Sequence, residues 1–377
     1  MISPKEFHKK IKKLGVSFFT GIPDSLLKNY CYYIDDYEKN EDHIIAANEG
    51  GALAIAMGYN LATGKIPLIY LQNSGFGNLV NPLLSLTDKD VYSIPGILLI
   101  GWRGEPDIPD EPQHKKQGKI TLDLLDTMDI PYYLLDKMLD DTEIENILNQ
   151  CIKDVKSKSR INALVVKKGF FDNYKPVNKD QSKFKLTRER AIELVVSQIK
   201  DGLIIATTGL ASRELYDYRN RTNGDHSQDF LVVGGMGHAN QIAMGIALQS
   251  KKKRIICLDG DGAVIMHMGS LPIIGSNIPN NMIHILLNNG AHDSVGGQNT
   301  VGFEIDLSEI AKISGYKEVF SFDTEAEILS AINEISKMDG PIFVEIKVKK
   351  GFRDEIGRPK TTPIENKNRF VSRLKES

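Results

Sequence analysis

Cysteine is scarce in these 377 residues. Cys31, Cys151 and Cys257 are too few and too scattered for a disulfide framework, and they do not cluster at zinc spacing. Neither sign of charge dominates: 47 Lys and Arg against 49 Asp and Glu leave a net charge of −2. That balance lacks the basic excess of a dedicated nucleic-acid binder, so no nucleic-acid partner is expected. No apolar run approaches the roughly 20 residues that span a bilayer. The opening stretch Met1-Ile2-Ser3-Pro4-Lys5-Glu6-Phe7-His8-Lys9-Lys10 has no uninterrupted apolar core and does not read as a secretory signal. The expectation is a cytoplasmic protein with no membrane partner. Several signatures of chemistry are missing too. Gly235-Met236-Gly237 has Asn240 where a dinucleotide fingerprint needs its last glycine, and Gly260-Asp261-Gly262 has Ile265 there. No Walker A run, His-Glu-x-x-His or Gly-x-Ser-x-Gly occurs.

What is present is the material of a globular chain: 41% hydrophobic residues, 25% charged, 32 Gly and 15 Pro. Phe7, Ile11 and Leu14 at helical spacing behind Ser3-Pro4 predict a capped first helix. Short apolar runs at 66–71, 97–100, 163–166, 203–206, 254–258, 282–287 and 342–346 read as buried strands. Amphipathic stretches separate most of them, which is the α/β pattern of a parallel sheet covered on both faces. The polar region 173–187 reads as a linker between residues 1–172 and 188–377, each of single-domain size. The halves resemble each other. Ile55-Ala56-Met57-Gly58 recurs as Ile242-Ala243-Met244-Gly245, and Val166-Lys167-Lys168-Gly169-Phe170 recurs as Val348-Lys349-Lys350-Gly351-Phe352. Asn73-Ser74-Gly75 falls on Gly260-Asp261-Gly262 in the same order. Two domains of similar fold are expected.

The sharpest motif is Leu258-Asp259-Gly260-Asp261-Gly262-Ala263 at the end of one strand, followed about 25 residues on by Leu287-Asn288-Asn289-Gly290-Ala291-His292 at the end of the next. Singly, these are a tight turn and a strand-end turn. Together, both loops would lie at the carboxyl edge of a parallel sheet, where α/β proteins bind ligands. Gly260 and Gly262 would let backbone approach a phosphate. Asp261 and an Asn carbonyl are hard oxygen donors suited to Mg²⁺.

That arrangement resembles the thiamine-diphosphate enzymes. The resemblance implies a pyrimidine-binding domain followed by a diphosphate-binding domain, with no middle domain because only a short linker separates them. It places thiamine diphosphate on Glu49, Thr208, Gly209, Gly235, Met236, Gly260, Asp261, Gly262, Ala263 and Asn289. Mg²⁺ falls to Asp261, Asn289 and the Ala291 carbonyl, with Asn288 and Asn289 not cleanly distinguished by spacing. Ala46-Ala47-Asn48-Glu49-Gly50-Gly51-Ala52 looks like the segment whose glutamate meets the aminopyrimidine. Burial after the strand 43–47 would raise its pKa. Gly234-Gly235-Met236-Gly237 looks like the loop whose apolar residue bends the cofactor.

Thr20-Gly21-Ile22-Pro23-Asp24-Ser25, Gln72-Asn73-Ser74-Gly75, Gly101-Trp102-Arg103-Gly104-Glu105, Asp110-Glu111-Pro112-Gln113-His114 and Asn289-Gly290-Ala291-His292-Asp293-Ser294 look like the phosphonopyruvate decarboxylase subgroup. The small sulfopyruvate decarboxylases share the same layout. The subgroup implies a 2-oxo acid, phosphonopyruvate, as substrate. It also implies a homodimer or higher homo-oligomer, with the cofactor between chains. Asp24, Ser25 and His114 are then the catalytic relay beside Glu49; Arg103, Gln117 and His292 are substrate contacts. His114 is expected in a charged loop over 105–117. A sulfonate or plain 2-oxo acid, and a non-catalytic subunit retaining the fold, are the rival readings.

Overall fold

The structure is a computed structural model and describes residues 1–177 and 182–376. Positions 178–181 of the expected linker lie outside the described residues. The chain divides into two compact units, residues 1–180 and 181–377.

The first unit holds six strands: β1 Phe19–Gly21, β2 His43–Ile45, β3 Leu68–Gln72, β4 Gly96–Gly101, β5 Tyr132–Leu135 and β6 Ile161–Val166. They form one sheet in the order β2-β1-β3-β4-β6-β5, every pairing parallel. Both faces are buried, as a parallel sheet between helices requires. Leu68, Tyr70, Ile97, Leu99, Leu164 and Val166 point to one core, which they share with Phe7, Ile11, Tyr30, Ile34, Leu148 and Ile152. Those partners come from helices Pro4–Lys13, Lys28–Tyr37 and Asp141–Lys158. Ile69, Leu71, Leu98, Ile100, Ala163 and Val165 alternate to the other face and are equally buried. The first helix starts as expected: the Ser3 hydroxyl accepts from the Glu6 N–H at 3.2 Å, and Pro4 occupies the first turn.

The second unit repeats the plan with β7 Gly202–Ala206, β8 Asp229–Leu231, β9 Arg254–Gly260, β10 Met282–Asn288, β11 Glu318–Phe322 and β12 Ile342–Lys347. Their order is β8-β7-β9-β10-β12-β11, again all parallel. Strand for strand, this is the order of the first sheet. The two Ile-Ala-Met-Gly repeats fall on equivalent helices, Glu49–Thr63 before β3 and Ala239–Gln249 before β9. The two Val-Lys matches follow the last strand of each sheet, β6 and β12.

Each expected strand is present, and β2 covers the start of the run at 43–47. The sequence reading omitted β1, β5, β8 and β11. β1 and β8 have three residues each, too short for a visible apolar run. β5, β8 and β11 lie at sheet edges, and β5 and β11 have half-exposed or exposed positions that dilute the signal.

Both sheets reverse direction of growth in their middle, between β1 and β3 and between β7 and β9, and again at the far edge, where β6 and β12 turn back inside β5 and β11. Open parallel sheets bind ligands at the carboxyl ends beside such a reversal.

Candidate active site

In the first unit, the segments leaving β1, β2, β3 and β4 at that edge carry the residues of interest. Glu49 opens the helix Glu49–Thr63 behind the cap Asn48, whose side chain accepts from the Gly51 N–H at 2.8 Å. The Glu49 side chain is buried, and its Oε2 accepts from Asn78 Nδ2 at 2.8 Å. Burial raises its pKa, against the lowering effect of the Asn78 hydrogen bond. Gly75 packs on this carboxyl, and a Cβ there would overlap it.

Asp24 is fully buried after β1. Its Oδ2 accepts from the backbone N–H groups of Leu26 and Leu27 at 2.9 and 3.0 Å, while Oδ1 has no hydrogen-bond partner. Burial pushes the acid up to about 6, moderated by the Leu27 N–H and the nearby Arg103 charge. A Cβ at Gly101 would overlap this carboxylate, so β4 must carry glycine where it passes.

Arg103 follows β4. Its Nε donates to Asp110 Oδ2 at 2.8 Å, its Nη2 donates to Asp110 Oδ1, and its Nη1 donates to Ser25 Oγ at 2.7 Å. Its backbone is clasped by Asn73: the Arg103 N–H donates to Asn73 Oδ1 at 3.0 Å, and Asn73 Nδ2 donates to the Arg103 carbonyl at 2.8 Å. His114 Nδ1 lies 3.0 Å from Asp110 Oδ1, and His114 Nε2 lies 3.5 Å from Gln72 Nε2. The loop expected over 105–117 is corrected here. A helix, Pro112–Thr127, begins at a proline in its first turn, and His114 sits in that turn, buried. Gln117, one turn on, is half-buried with an unpartnered Oε1. Ser25, Arg103 and His114 therefore share one network through Asp110, and the Arg103 charge acts on the nearby Asp24. Glu49 has its own contacts to Asn78 and Gly75.

In the second unit, Thr208 and Gly209 follow β7, and Gly209 has φ +98°. Gly235 and Gly237, at φ +63° and +84°, hold Met236 in a loop after β8. Gly262 makes room for two neighbours: a Cβ there would lie 3.2 Å from the end of Met236 and 2.9 Å from the His292 ring. Those three residues are thus in one place. Burial pushes His292 down to about 4. Asp261 begins the short helix Asp261–Met266, which includes Ala263. The carboxylate of Asp261 is 1% exposed. It accepts from the Thr300 hydroxyl and, at 3.4 Å, from the Asn289 N–H. Burial pushes it up to about 6. Asn289 Nδ2 donates to Asp293 at 2.6 Å, and Asn289 Oδ1 accepts from the Ala291 N–H at 3.2 Å. Asn288 Nδ2 donates to the Gly302 carbonyl and to Glu345 at 2.7 Å, and its Oδ1 accepts from the Gly290 N–H at 3.1 Å.

Comparison with known proteins agrees with this layout. Residues 6–127 match the thiamine pyrophosphate enzyme N-terminal TPP binding domain, and residues 207–346 match the C-terminal TPP binding domain. The chain is 32% identical to a phosphonopyruvate decarboxylase of Streptomyces viridochromogenes, over 98% of this chain and 94% of that protein. It is 30% identical to a phosphonopyruvate decarboxylase of Streptomyces hygroscopicus, over 98% and 93%. A sulfopyruvate decarboxylase of Methanosarcina acetivorans is 27% identical over 99% and 98%. The chain belongs to the thiamine pyrophosphate enzymes. It is a decarboxylase of that family, a carboxy-lyase.

The family's cation can be tested against the residues present. Asp261 is a buried carboxylate, and among the described residues no cationic side chain pairs with it. A buried charge of this kind needs a counter-charge, and its oxygen suits a hard divalent ion. The donor set fits. Membrane spanning has no support from the helices: among the described residues, none is long and apolar enough to cross a bilayer.

Sequence reasoning did not assign roles to Asp110, Asn73, Asn78 or Thr300. Asp110, Asn73 and Asn78 stood inside motifs of the subgroup, whose run at 72–78 includes both asparagines, so the signal for them was there. Thr300 becomes visible only when the chain folds it onto Asp261.

Proposed function

We propose that this enzyme converts 3-phosphonopyruvate to phosphonoacetaldehyde and CO₂, with thiamine diphosphate held through Mg²⁺. The reaction would belong to phosphonate biosynthesis. The observation that carries the reading is the Glu49 carboxyl, buried with a raised pKa at the mouth of the first sheet. A carboxyl in that state suits proton exchange with a ring nitrogen. Whole-length likeness is higher to the named phosphonopyruvate decarboxylases than to the sulfopyruvate enzyme, which favours the phosphonate.

When bound, the thiazolium ring acts as the electron sink for loss of CO₂. The chain's residues do the rest. Glu49 holds or gives a proton at its carboxyl oxygen. Asp24, Ser25 and His114 carry protons to and from the reacting 2-oxo acid. Arg103 has two guanidinium N–H groups beyond those given to Asp110 and Ser25, which suit two oxygens of a phosphonate. Gln117 of the first unit and His292 of the second are the further candidate substrate contacts. Asp261, Asn289 and the Ala291 carbonyl would hold the cation, and Thr208, Gly209, Gly235, Gly260, Gly262 and Ala263 the diphosphate. Met236, braced by its two positive-φ glycines, would support the bend of the cofactor.

The domain reading assigns 1–172 to the pyrimidine and 188–377 to the diphosphate, with 173–187 as linker. We place the working unit as a cytoplasmic homodimer or larger homo-oligomer. The equivalent helices Glu49–Thr63 and Ala239–Gln249 support association. Both are rich in small apolar residues, and Gly58 and Gly245 face open space. Three buried, free cysteines fit a reducing compartment.

The test is CO₂ release from phosphonopyruvate, sulfopyruvate and pyruvate, with and without thiamine diphosphate and Mg²⁺. Highest kcat/KM on phosphonopyruvate is expected. Preference for sulfopyruvate, or no release from any acid with cofactor bound, refutes the substrate or the activity respectively.

A further inference from the structure

Asp110 has no assigned role, yet its carboxylate meets Arg103, Gly104, Glu111 and His114. Its Oδ2 accepts from Arg103 Nε and from the Gly104 N–H, both at 2.8 Å. Its Oδ1 accepts from Arg103 Nη2, from the Glu111 N–H at 2.7 Å, and faces His114 Nδ1 at 3.0 Å. The side chain is largely shielded, so these contacts are not diluted by water. Although burial works against its charge, the hydrogen bonds from Arg103, His114 and Gly104 hold the carboxyl well below the usual range. It is therefore ionised and can only accept.

Two consequences follow for its partners. An ionised carboxylate facing His114 Nδ1 requires the proton on Nδ1. On the opposite side of the ring, the Gln72 amide nitrogen lies 3.5 Å from Nε2, a long contact that is compatible with a lone pair there. The Asp110 contact thus sets the tautomer. Arg103 is held along the Nε–Nη2 edge, which turns Nη1 to Ser25. Ser25 in turn follows Asp24 in the segment after β1.

We propose that Asp110 is a positioning residue for the decarboxylation: it fixes His114 as the Nδ1–H tautomer, leaving Nε2 as the proton-accepting atom, and aims Arg103 at Ser25. His114 and Arg103 touch substrate in this scheme, and Asp110 acts through them. The logic is that of a carboxylate orienting a catalytic imidazole, where the wrong tautomer removes the base without disturbing the fold.

The proposal rests on His114 carrying a proton in turnover, so the experiment separates the two claims. The first readout needs no turnover: ¹⁵N-histidine NMR of the full chain, with the His114 ring assigned by its loss in His114→Gln. Nδ1–H is expected in the parent, and growth of the Nε2–H form in Asp110→Ala. The second readout is kinetic. Asp110→Ala should lower kcat by about 10²-fold, within the range that general acid–base groups contribute, with KM moving less. Asp110→Asn keeps the shape and serves if the alanine variant does not fold; one amide oxygen cannot replace two carboxylate oxygens, so a smaller shift in the same direction is expected. An Nε2–H parent, or an unchanged His114 tautomer in a folded Asp110 variant, overturns the role of Asp110. Full turnover in His114→Gln instead removes His114 from the reaction and, with it, the kinetic half of the proposal.

Discussion

Asp24→Asn tests the electrostatics of the first unit most directly. Asp24 is fully buried; Oδ2 has two backbone N–H donors and Oδ1 has none. Burial raises its pKa from 3.8 to about 6. The folded protein therefore holds the Asp24 proton more tightly than the unfolded chain does. The associated stability is fully present below about pH 4 and is lost as pH rises through 6. A rise of that size corresponds to about 3 kcal/mol. Asparagine does not titrate, so the difference between variant and parent should move by that amount in favour of asparagine between pH 4 and pH 7.5. An offset acts at every pH. The asparagine oxygen must take the place of Oδ2, which puts its NH₂ where Oδ1 has no partner, at a cost of about 1–2 kcal/mol. The variant should thus be less stable than the parent by about 1–2 kcal/mol at pH 4 and more stable by a similar amount at pH 7.5. Guanidinium unfolding of cofactor-free protein at pH 4, 5, 6 and 7.5, followed by circular dichroism, measures this. A difference that stays level across the series refutes the assignment of a strained, buried charge. Turnover should fall by about 10²-fold in the same variant, since the group is also placed in the relay.

The remaining expectations concern the other site residues. Glu49→Gln should leave thiamine diphosphate binding, measured by calorimetry, near that of the parent and reduce kcat by at least about 10²-fold; retained turnover removes Glu49 from its role. Gly75→Ala places a methyl on the Glu49 carboxyl and should cost about 1–3 kcal/mol along with most activity, because either the carboxyl or the 73–75 turn must shift. Unchanged melting temperature and kcat would show that the contact yields freely. Arg103→Ala should raise KM for phosphonopyruvate far more than for pyruvate; equal effects on both acids would sink Arg103 as a phosphonate contact.

Much of this was legible in the chain itself. The strands found early are the apolar central ones, β3, β4, β6, β7, β9, β10 and β12, because burial on both faces forces continuous Ile, Leu and Val runs. β5 and β11 were illegible because an edge strand shares less of that burial, and β1 and β8 because three residues make no run. Asp261 and Glu49 were legible because their motifs tie a carboxylate to a strand end and to glycines. His114 was legible as a residue but not as a structure: its charged surroundings suggested a loop, whereas Pro112 begins a helix and Asp110 draws the ring inward.

The sequence by itself determined the class of fold, the repeated domain plan, the family and the two carboxylates on which the chemistry is proposed to turn. Those properties reside in local pattern: periodic apolar burial, glycines at strand ends, and spacing between motifs. Only the tertiary structure decided which groups meet. It showed the Asn289 N–H on Asp261, Asp24 buried with an unpartnered oxygen, and Asp110 joining Arg103 to His114. Such contacts depend on the twist and order of a sheet whose neighbouring strands are far apart in the chain, and no linear spacing encodes them.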